Sequence, residues 1–255
     1  MTEPDHIQSV ADVVINGDTI KITAEPSVNI TAAVNSKIFD DWCRSIDPRF
    51  QIRAIHIQSV DMRDENVRFI KLKADVIDRT DDAYLPGSVF LRGHSVAILV
   101  VLECNGLEYA VLAVQPRVAI GDFELQEVLA GMLDESNDFA GVAAKELREE
   151  GGDTFALTAS DLIDLTDAVG CMRPIYLSPG GSDEAMRFFL HRRQVTFDEL
   201  NALRGKATGV LEDGEHIKLK VVPLEDLDVI DDGKTIIAAA LYRRYKRLQE
   251  LARAR

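Results

Sequence analysis

Gly131-Met-Leu-Asp-Glu-Ser-Asn137-Asp-Phe-Ala-Gly-Val-Ala-Ala-Lys145-Glu146-Leu147-Arg148-Glu149-Glu150-Gly151-Gly152 is the stretch on which the reading of this chain turns. Residues 138–150 carry the pattern of a helix. At 3.6 residues per turn, Glu146, Glu149 and Glu150 stand at i, i+3 and i+4, so their carboxylates project from one face. Three clustered anions repel one another, and folding alone disfavours the arrangement. A divalent cation reverses the balance, because hard carboxylate oxygens suit Mg²⁺ or Mn²⁺, which also bind substrate phosphates. Val142, Ala143 and Leu147 can pack the opposite face onto a sheet. Gly131 allows close backbone approach, and a nearby carbonyl such as that of Ala130 could face the metal. Glu-x-x-Glu-Glu by itself equally describes a solvated acidic helix. The longer spacing decides between the two readings.

Outward from this stretch, elements of both kinds appear. On the N-terminal side, Asn16-Gly17 and Asn105-Gly106 each separate two apolar runs and read as hairpin turns. Residues 1–10 read as frayed. Ser36 caps a short helix over 37–42. Residues 52–60 and 67–76 alternate as strands, with Phe69, Ile70, Leu72 and Ala74 setting the period. A polar, turn-rich break at 80–87 predicts a domain division, giving residues 1–88 and 89–255. Further strands are expected at 96–102, 108–114, 123–130, 162–169, 175–177 and 185–193. Helices are expected at 197–204 and 234–253, the last amphipathic and basic.

Composition narrows the function. The chain has 255 residues, 46% hydrophobic and 28% charged, with 43 acidic against 29 basic residues and a net charge of −14. An acidic surface repels phosphate backbones and anionic lipid, so nucleic-acid and membrane binding are not expected. A small phosphate substrate remains compatible if a cation or local arginines shield it. No apolar run nears the length of a membrane span. Cys43, Cys104 and Cys171 are scattered and form no CxxC pair, which points to a reducing compartment rather than disulfides or zinc. A cytoplasmic location is expected, or a plastid or other organelle if a transit peptide has been removed.

The full spacing resembles the Nudix box, G-x5-E-x7-R-E-U-x-E-E-x-G-U with U apolar. Gly131, Glu146, Leu147, Glu149, Glu150 and Gly152 match it. Asn137, Lys145 and Asp153 depart, standing where the family has Glu, Arg and an apolar residue. Lys cannot reproduce the bidentate fork of Arg. Within the Nudix hydrolases the chain looks like the plant plastid branch that hydrolyses ADP-sugars and UDP-sugars, related to the ADP-ribose pyrophosphatases. Val60-Asp61-Met62, Phe69 to Asp75, Arg92-Gly93, Gln115-Pro116-Arg117-Val118, Ala130 to Asp134, Ser178-Pro-Gly-Gly-Ser-Asp-Glu184 and Gly205-Lys-Ala-Thr-Gly209 with His216-Ile217-Lys218 carry this likeness. Leu129 departs, where the branch has Pro.

This resemblance implies an α/β/α Nudix sandwich with a mixed sheet, preceded by a small β-rich domain that in relatives helps form a homodimer and roofs the substrate. It implies Mg²⁺ held by Glu146, Glu149, Glu150 and the Ala130 carbonyl. It implies Glu184 as general base, with Asp183 its confusable neighbour and Glu149 the alternative. Arg117 would hold the diphosphate, and Arg92 would assist. The expected activity is hydrolysis of nucleoside diphosphate sugars. Hydrolysis of another nucleoside diphosphate linkage, or a non-catalytic nucleotide-sugar sensor, are the rival readings. His94, His191 and His216 do not cluster and read as solvated or core residues.

Overall fold

The computed structural model describes residues 8–133, 138–151, 159–208 and 217–254, without the side chains of residues 8–10, 150 and 151. The chain divides into two units. One comprises Met1–Gly93 with Ser178–Glu184, and the other His94–Leu177 with Ala185–Arg255.

In the first unit, β1 (Gln8–Ile15) and β2 (Asp18–Ala24) form the antiparallel hairpin expected at Asn16-Gly17. Residues 8–10, read as frayed, belong to β1. Helix α1 (Ile30–Val34) has no counterpart in the sequence reading; the Asn29 side chain caps it by accepting from the Ala32 N–H. Helix α2 (Lys37–Ser45) starts at Ser36 as expected, the hydroxyl accepting from the Phe39 N–H. Strands β3 (Phe50–Arg63), β4 (Asn66–Asp78), β5 (Tyr84–Leu85) and β6 (Ser88–Leu91) complete a sheet of order β1-β2-β3-β4-β5, with β6 also on β4. β2 and β3 are parallel, so the sheet is mixed. Its inner face buries Ile20, Ile22, Ile55, Ile57, Ile70 and Leu72 together with Ala33 of α1 and Phe39 of α2. The division drawn after residue 88 from the sequence falls inside β6. Because β6 pairs with β4, the chain passes from one unit to the other between Gly93 and His94.

The second unit begins with β7 (Ser95–Cys104) and β8 (Leu107–Arg117), joined at Asn105 and Gly106 with φ of 52° and 77°. Both values are left-handed, as a tight hairpin turn between right-twisted strands requires. The strand-like run 123–130 splits into β9 (Asp122–Glu127) and β10 (Leu129–Met132). The break is at Val128, whose N–H donates to the Thr235 hydroxyl at 2.9 Å instead of to a ladder. β9 then pairs with β8 and β10 with β7.

Helix α3 (Phe139–Gly151) follows, its first turn held by Asp138, which accepts from the Gly141 N–H. The run 162–169, expected as a strand, becomes β11 (Ile163–Asp164) and helix α4 (Leu165–Ala168). Asp164 accepts from the Asp167 N–H and so starts a helix where the apolar pattern suggests extension. β12 (Ile175–Tyr176), β13 (Ala185–Gln194), α5 (Phe197–Leu203), β14 (Ala207–Thr208), β15 (Ile217–Pro223) and α6 (Gly233–Arg253) complete the unit. β15 was not anticipated from the sequence.

The second sheet has the order β11-β13-β7-β8-β15-β14, with β10 on β7, β12 on β13 and β9 on β8. The β13–β7 pairing is parallel and the rest antiparallel. β7 reads as an unbroken apolar run because both of its faces are covered. Ala97, Leu99 and Val101 pack with Leu165 of α4 and Ala238, Leu241 and Tyr242 of α6. Val96, Ile98 and Val100 pack with Val142, Ala143 and Leu147 of α3 and Leu200 of α5. Helices therefore cover both faces of a mixed sheet, the α/β/α sandwich expected. No helix among the described residues is long and apolar enough to cross a membrane.

Candidate active site

The second unit places α3 against β10. Val142, Ala143 and Leu147 anchor the helix to the sheet, which turns Glu146 toward the strand. A Cβ built on Gly131 would overlap Cδ, Oε1 and Cγ of Glu146. The carboxylate thus occupies space that any other residue at position 131 would fill. Ala130 precedes this glycine in β10. Glu149, one turn on, is half-buried and lies 3.9 Å from Lys145 Nζ. The Glu150 side chain and residues Asn137, Gly152, Asp153 and His216 lie outside what is described. Among the described residues no three His, Cys, Asp or Glu side chains are grouped so as to hold a metal ion. The donor chemistry nonetheless fits a hard divalent cation: carboxylates on one helix face, one of them seated in a glycine gap that gives it backbone-close access.

Arg117 ends β8. Its Nε donates to Glu127 Oε1 at 2.7 Å and its Nη2 lies 2.5 Å from the same oxygen. Glu127 is 0% exposed, whereas the Arg117 side chain is 42% exposed. The other Glu127 oxygen accepts from Lys234 Nζ at 2.6 Å, and Lys234 also reaches Asp232 at 2.9 Å. Asp232 caps α6, accepting from the Thr235 N–H and hydroxyl at 2.9 and 2.7 Å. Burial alone would lower the Lys234 pKa, but the Glu127 and Asp232 carboxylates outweigh it and the net direction is up. Arg117 is thereby one end of a relay that runs to the α6 N-cap. Glu127, Asp232 and Lys234 escaped the sequence reading. The available signal was an acidic residue at the same inward phase as Leu125 in β9, where an apolar side chain is the rule.

In the first unit, Arg92 and Glu184 form a pair, with Nη1 3.3 Å from Oε2. The Glu184 side chain is 12% exposed. Asp183 faces elsewhere. Its carboxylate accepts from the backbone N–H groups of Arg92 at 2.7 Å and Gly93 at 3.2 Å. The two neighbouring acids, confusable in sequence, have different surroundings. Arg92 Nε is buried and has no acceptor among the described residues. The structure thus distributes the expected residues over the two units: Ala130, Glu146, Glu149 and Arg117 in the second, Arg92 and Glu184 in the first.

His191 is buried on β13, the core reading expected for it. Its pKa is lowered, chiefly by burial, which outweighs the opposing hydrogen bond to the Asp161 backbone; the Arg193 charge lowers it further. A depressed histidine binds its proton more readily unfolded. Stability is therefore complete above the unfolded value of about 6.5 and is lost as pH falls below it. Thermal melts of wild type and His191→Gln between pH 8 and 5 test this, with a steeper acid-side fall expected for wild type. Equal slopes would refute it.

Similarity to known proteins agrees with this architecture. The NUDIX domain model matches residues 92–245, more than half of the chain. The Arabidopsis thaliana protein "Nudix hydrolase 14, chloroplastic" is 39% identical over 228 residues, covering 84% of this chain and 72% of that protein. A solved structure described as "Crystal structure of ADP compounds hydrolase" superimposes with a TM-score of 0.50 at 15% identity, over 81% of this chain and 98% of that one, which bears on fold alone. The glycine-backed carboxylate on α3, the two-faced mixed sheet and these matches lead to one assignment: the chain belongs to the Nudix family and is a Nudix hydrolase.

Proposed function

We propose that this enzyme hydrolyses the diphosphate bond of nucleoside diphosphate sugars, with ADP-glucose, UDP-glucose and ADP-ribose as leading substrates. Water adds to one phosphorus and the bridging P–O bond breaks. A hexose substrate gives nucleoside monophosphate and sugar 1-phosphate; ADP-ribose gives AMP and ribose 5-phosphate. The observation that carries the reading is the Glu146 carboxylate seated in the gap left by Gly131. Glu146, Glu149, Glu150 and the Ala130 carbonyl would hold Mg²⁺, or Mn²⁺ in its place. Such a cation supplies charge neutralisation on the diphosphate and a more acidic water.

The chain's own groups do the rest by position. Glu127 fixes one edge of the Arg117 fork, and the exposed remainder would take a diphosphate oxygen of the substrate. Arg92 offers further donors. Glu184 takes the proton of the attacking water, with Glu149 the alternative. The Ser178–Glu184 loop, Arg92-Gly93 and Gln115-Pro116-Arg117 support the nucleotide-sugar class, because they carry the likeness to that branch. A homodimer and a plastid location accompany this reading, the second supported by the relative whose name says chloroplastic.

The test is a panel of ADP-glucose, UDP-glucose, ADP-ribose and dinucleotides with Mg²⁺, products resolved by chromatography, alongside Glu146→Gln. We expect nucleoside monophosphate and sugar phosphate from wild type and a fall of about a hundredfold or more in the variant. Faster turnover of dinucleotides than of any nucleotide sugar would move the substrate class. Activity retained in Glu146→Gln would remove that carboxylate from the site.

A further inference from the structure

Ser178–Glu184 lies between β12 and β13 in the chain, yet by its contacts it belongs with residues 1–93. The fastening is specific. The loop first folds on itself, with the Ser178 carbonyl accepting from the Gly181 and Ser182 N–H groups. It then lies along the edge of β6. The Phe90 N–H donates to the Gly181 carbonyl at 2.8 Å, and the Asp183 N–H to the Phe90 carbonyl at 3.3 Å. Asp183 adds the ionic part. One of its oxygens accepts from the N–H of Arg92 at 2.7 Å and that of Gly93 at 3.2 Å, and the other lies 3.3 Å from Gly93 N. Gly93 has φ of +76°, a left-handed conformation that glycine adopts without strain and that redirects the chain just after the two N–H groups held by Asp183. Arg92 is therefore bound twice. Its backbone holds Asp183, and its guanidinium holds Glu184.

We propose that Asp183 is a positioning residue, which seats the Ser178–Glu184 loop on β6 and so sets Glu184 beside Arg92. A carboxylate bonded to backbone N–H groups makes charge-assisted hydrogen bonds, about twice as strong as neutral ones. Without them the loop loses its charged attachment to the Arg92 and Gly93 main chain, while the two main-chain bonds to Phe90 and the Arg92–Glu184 pair remain. Glu184 would then spend less time in its working position, and a misplacement near 1 Å suffices to slow an enzyme severely. Asp183 takes no part in the chemistry itself. This inference rests on the reading of Glu184 as the base.

Three variants of the full chain test it: Asp183→Ala, Asp183→Asn and Glu184→Gln. Each is assayed for kcat and KM with ADP-glucose and Mg²⁺, for melting temperature, and for amide hydrogen exchange at 90–93 and 178–184. Asp183→Ala is expected to raise exchange in both segments and to lower kcat about tenfold to a hundredfold, with KM within about twofold and the melting temperature unchanged. Asp183→Asn keeps a carbonyl oxygen that can accept both N–H groups, so it recovers most of the protection and of kcat. Wild-type exchange in Asp183→Ala overturns the proposal. So does Asp183→Asn being as slow as Asp183→Ala while the loop stays protected, because charge and not seating would then matter. Wild-type turnover by Glu184→Gln refutes the base assignment instead, and the exchange data keep that failure separate from the first.

Discussion

Gly131→Ala is expected to lower turnover of a nucleotide sugar by about a hundredfold or more while leaving the melting temperature close to that of wild type. The added methyl would occupy the place of the Glu146 carboxylate. What it meets is the end of a flexible, half-buried side chain, which can swing away at little cost. The strand does not resist, since Ala is tolerated in β10 at least as well as Gly. Stability and catalysis therefore separate at this position. Calorimetry and steady-state kinetics on one preparation give both numbers. A variant that is fully active would show that Glu146 need not stand against the backbone to work. A variant that is grossly unfolded would show that the glycine serves packing.

Glu127→Ala should do the opposite and fail first in stability. It removes the anion from a fully buried site and leaves the mostly buried Lys234 ammonium facing a void, with Asp232 as its remaining ion-pair partner among the described residues. Breaking one side of such a pair costs about 3–5 kcal/mol. In a chain of this size that is a fall of roughly 10 °C in melting temperature. The double variant Glu127→Leu, Lys234→Met should recover more than half of the loss, because an apolar pair of similar volume leaves neither of those two positions charged, and the buried Asp232 keeps its bonds to the Thr235 N–H and hydroxyl. Arg117 survives the change as a solvated side chain, being partly exposed. Activity in the double variant then reports what the Glu127 tether adds to Arg117, free of the folding defect. No recovery in the double variant would refute the ionic account.

The sequence announces its hairpins and its long amphipathic segments well. Asn16-Gly17 and Asn105-Gly106 need nothing beyond their own φ preferences, and α3, α5 and α6 carry both a cap and a period. Local pattern misleads where a distant partner decides. The run 123–130 looks continuous, but Thr235 takes the Val128 N–H and divides it. Residues 162–169 look extended, but Asp164, held by Arg187 of β13, caps a helix. β15 alternates lysine with apolar residues, and its place beside β8 depends on a pairing across a hundred residues. The same holds for the site. Glu146 and Gly131 are legible because helix period and a fixed spacing link them. Glu127 with Lys234 is not, for no local rule connects a strand carboxylate to a residue in the first turn of α6. The different surroundings of Asp183 and Glu184 also depend on Arg92, far off in sequence.

The seating of 178–184 on β6 also bears on how such a protein can be cut, recombined or inherited. A family match that begins at residue 92 marks a stretch that looks portable. Moved alone, it would carry Glu146, Glu149 and Glu150, proposed here to hold the cation, and the loop as well, yet leave behind β6, the strand that receives the loop. Residues 88–91 and 178–184 must then travel together, and insertions or deletions near the first are constrained by the second. The heritable module is thus discontinuous in sequence, and a shuffled or truncated form is expected to retain its fold more readily than its rate.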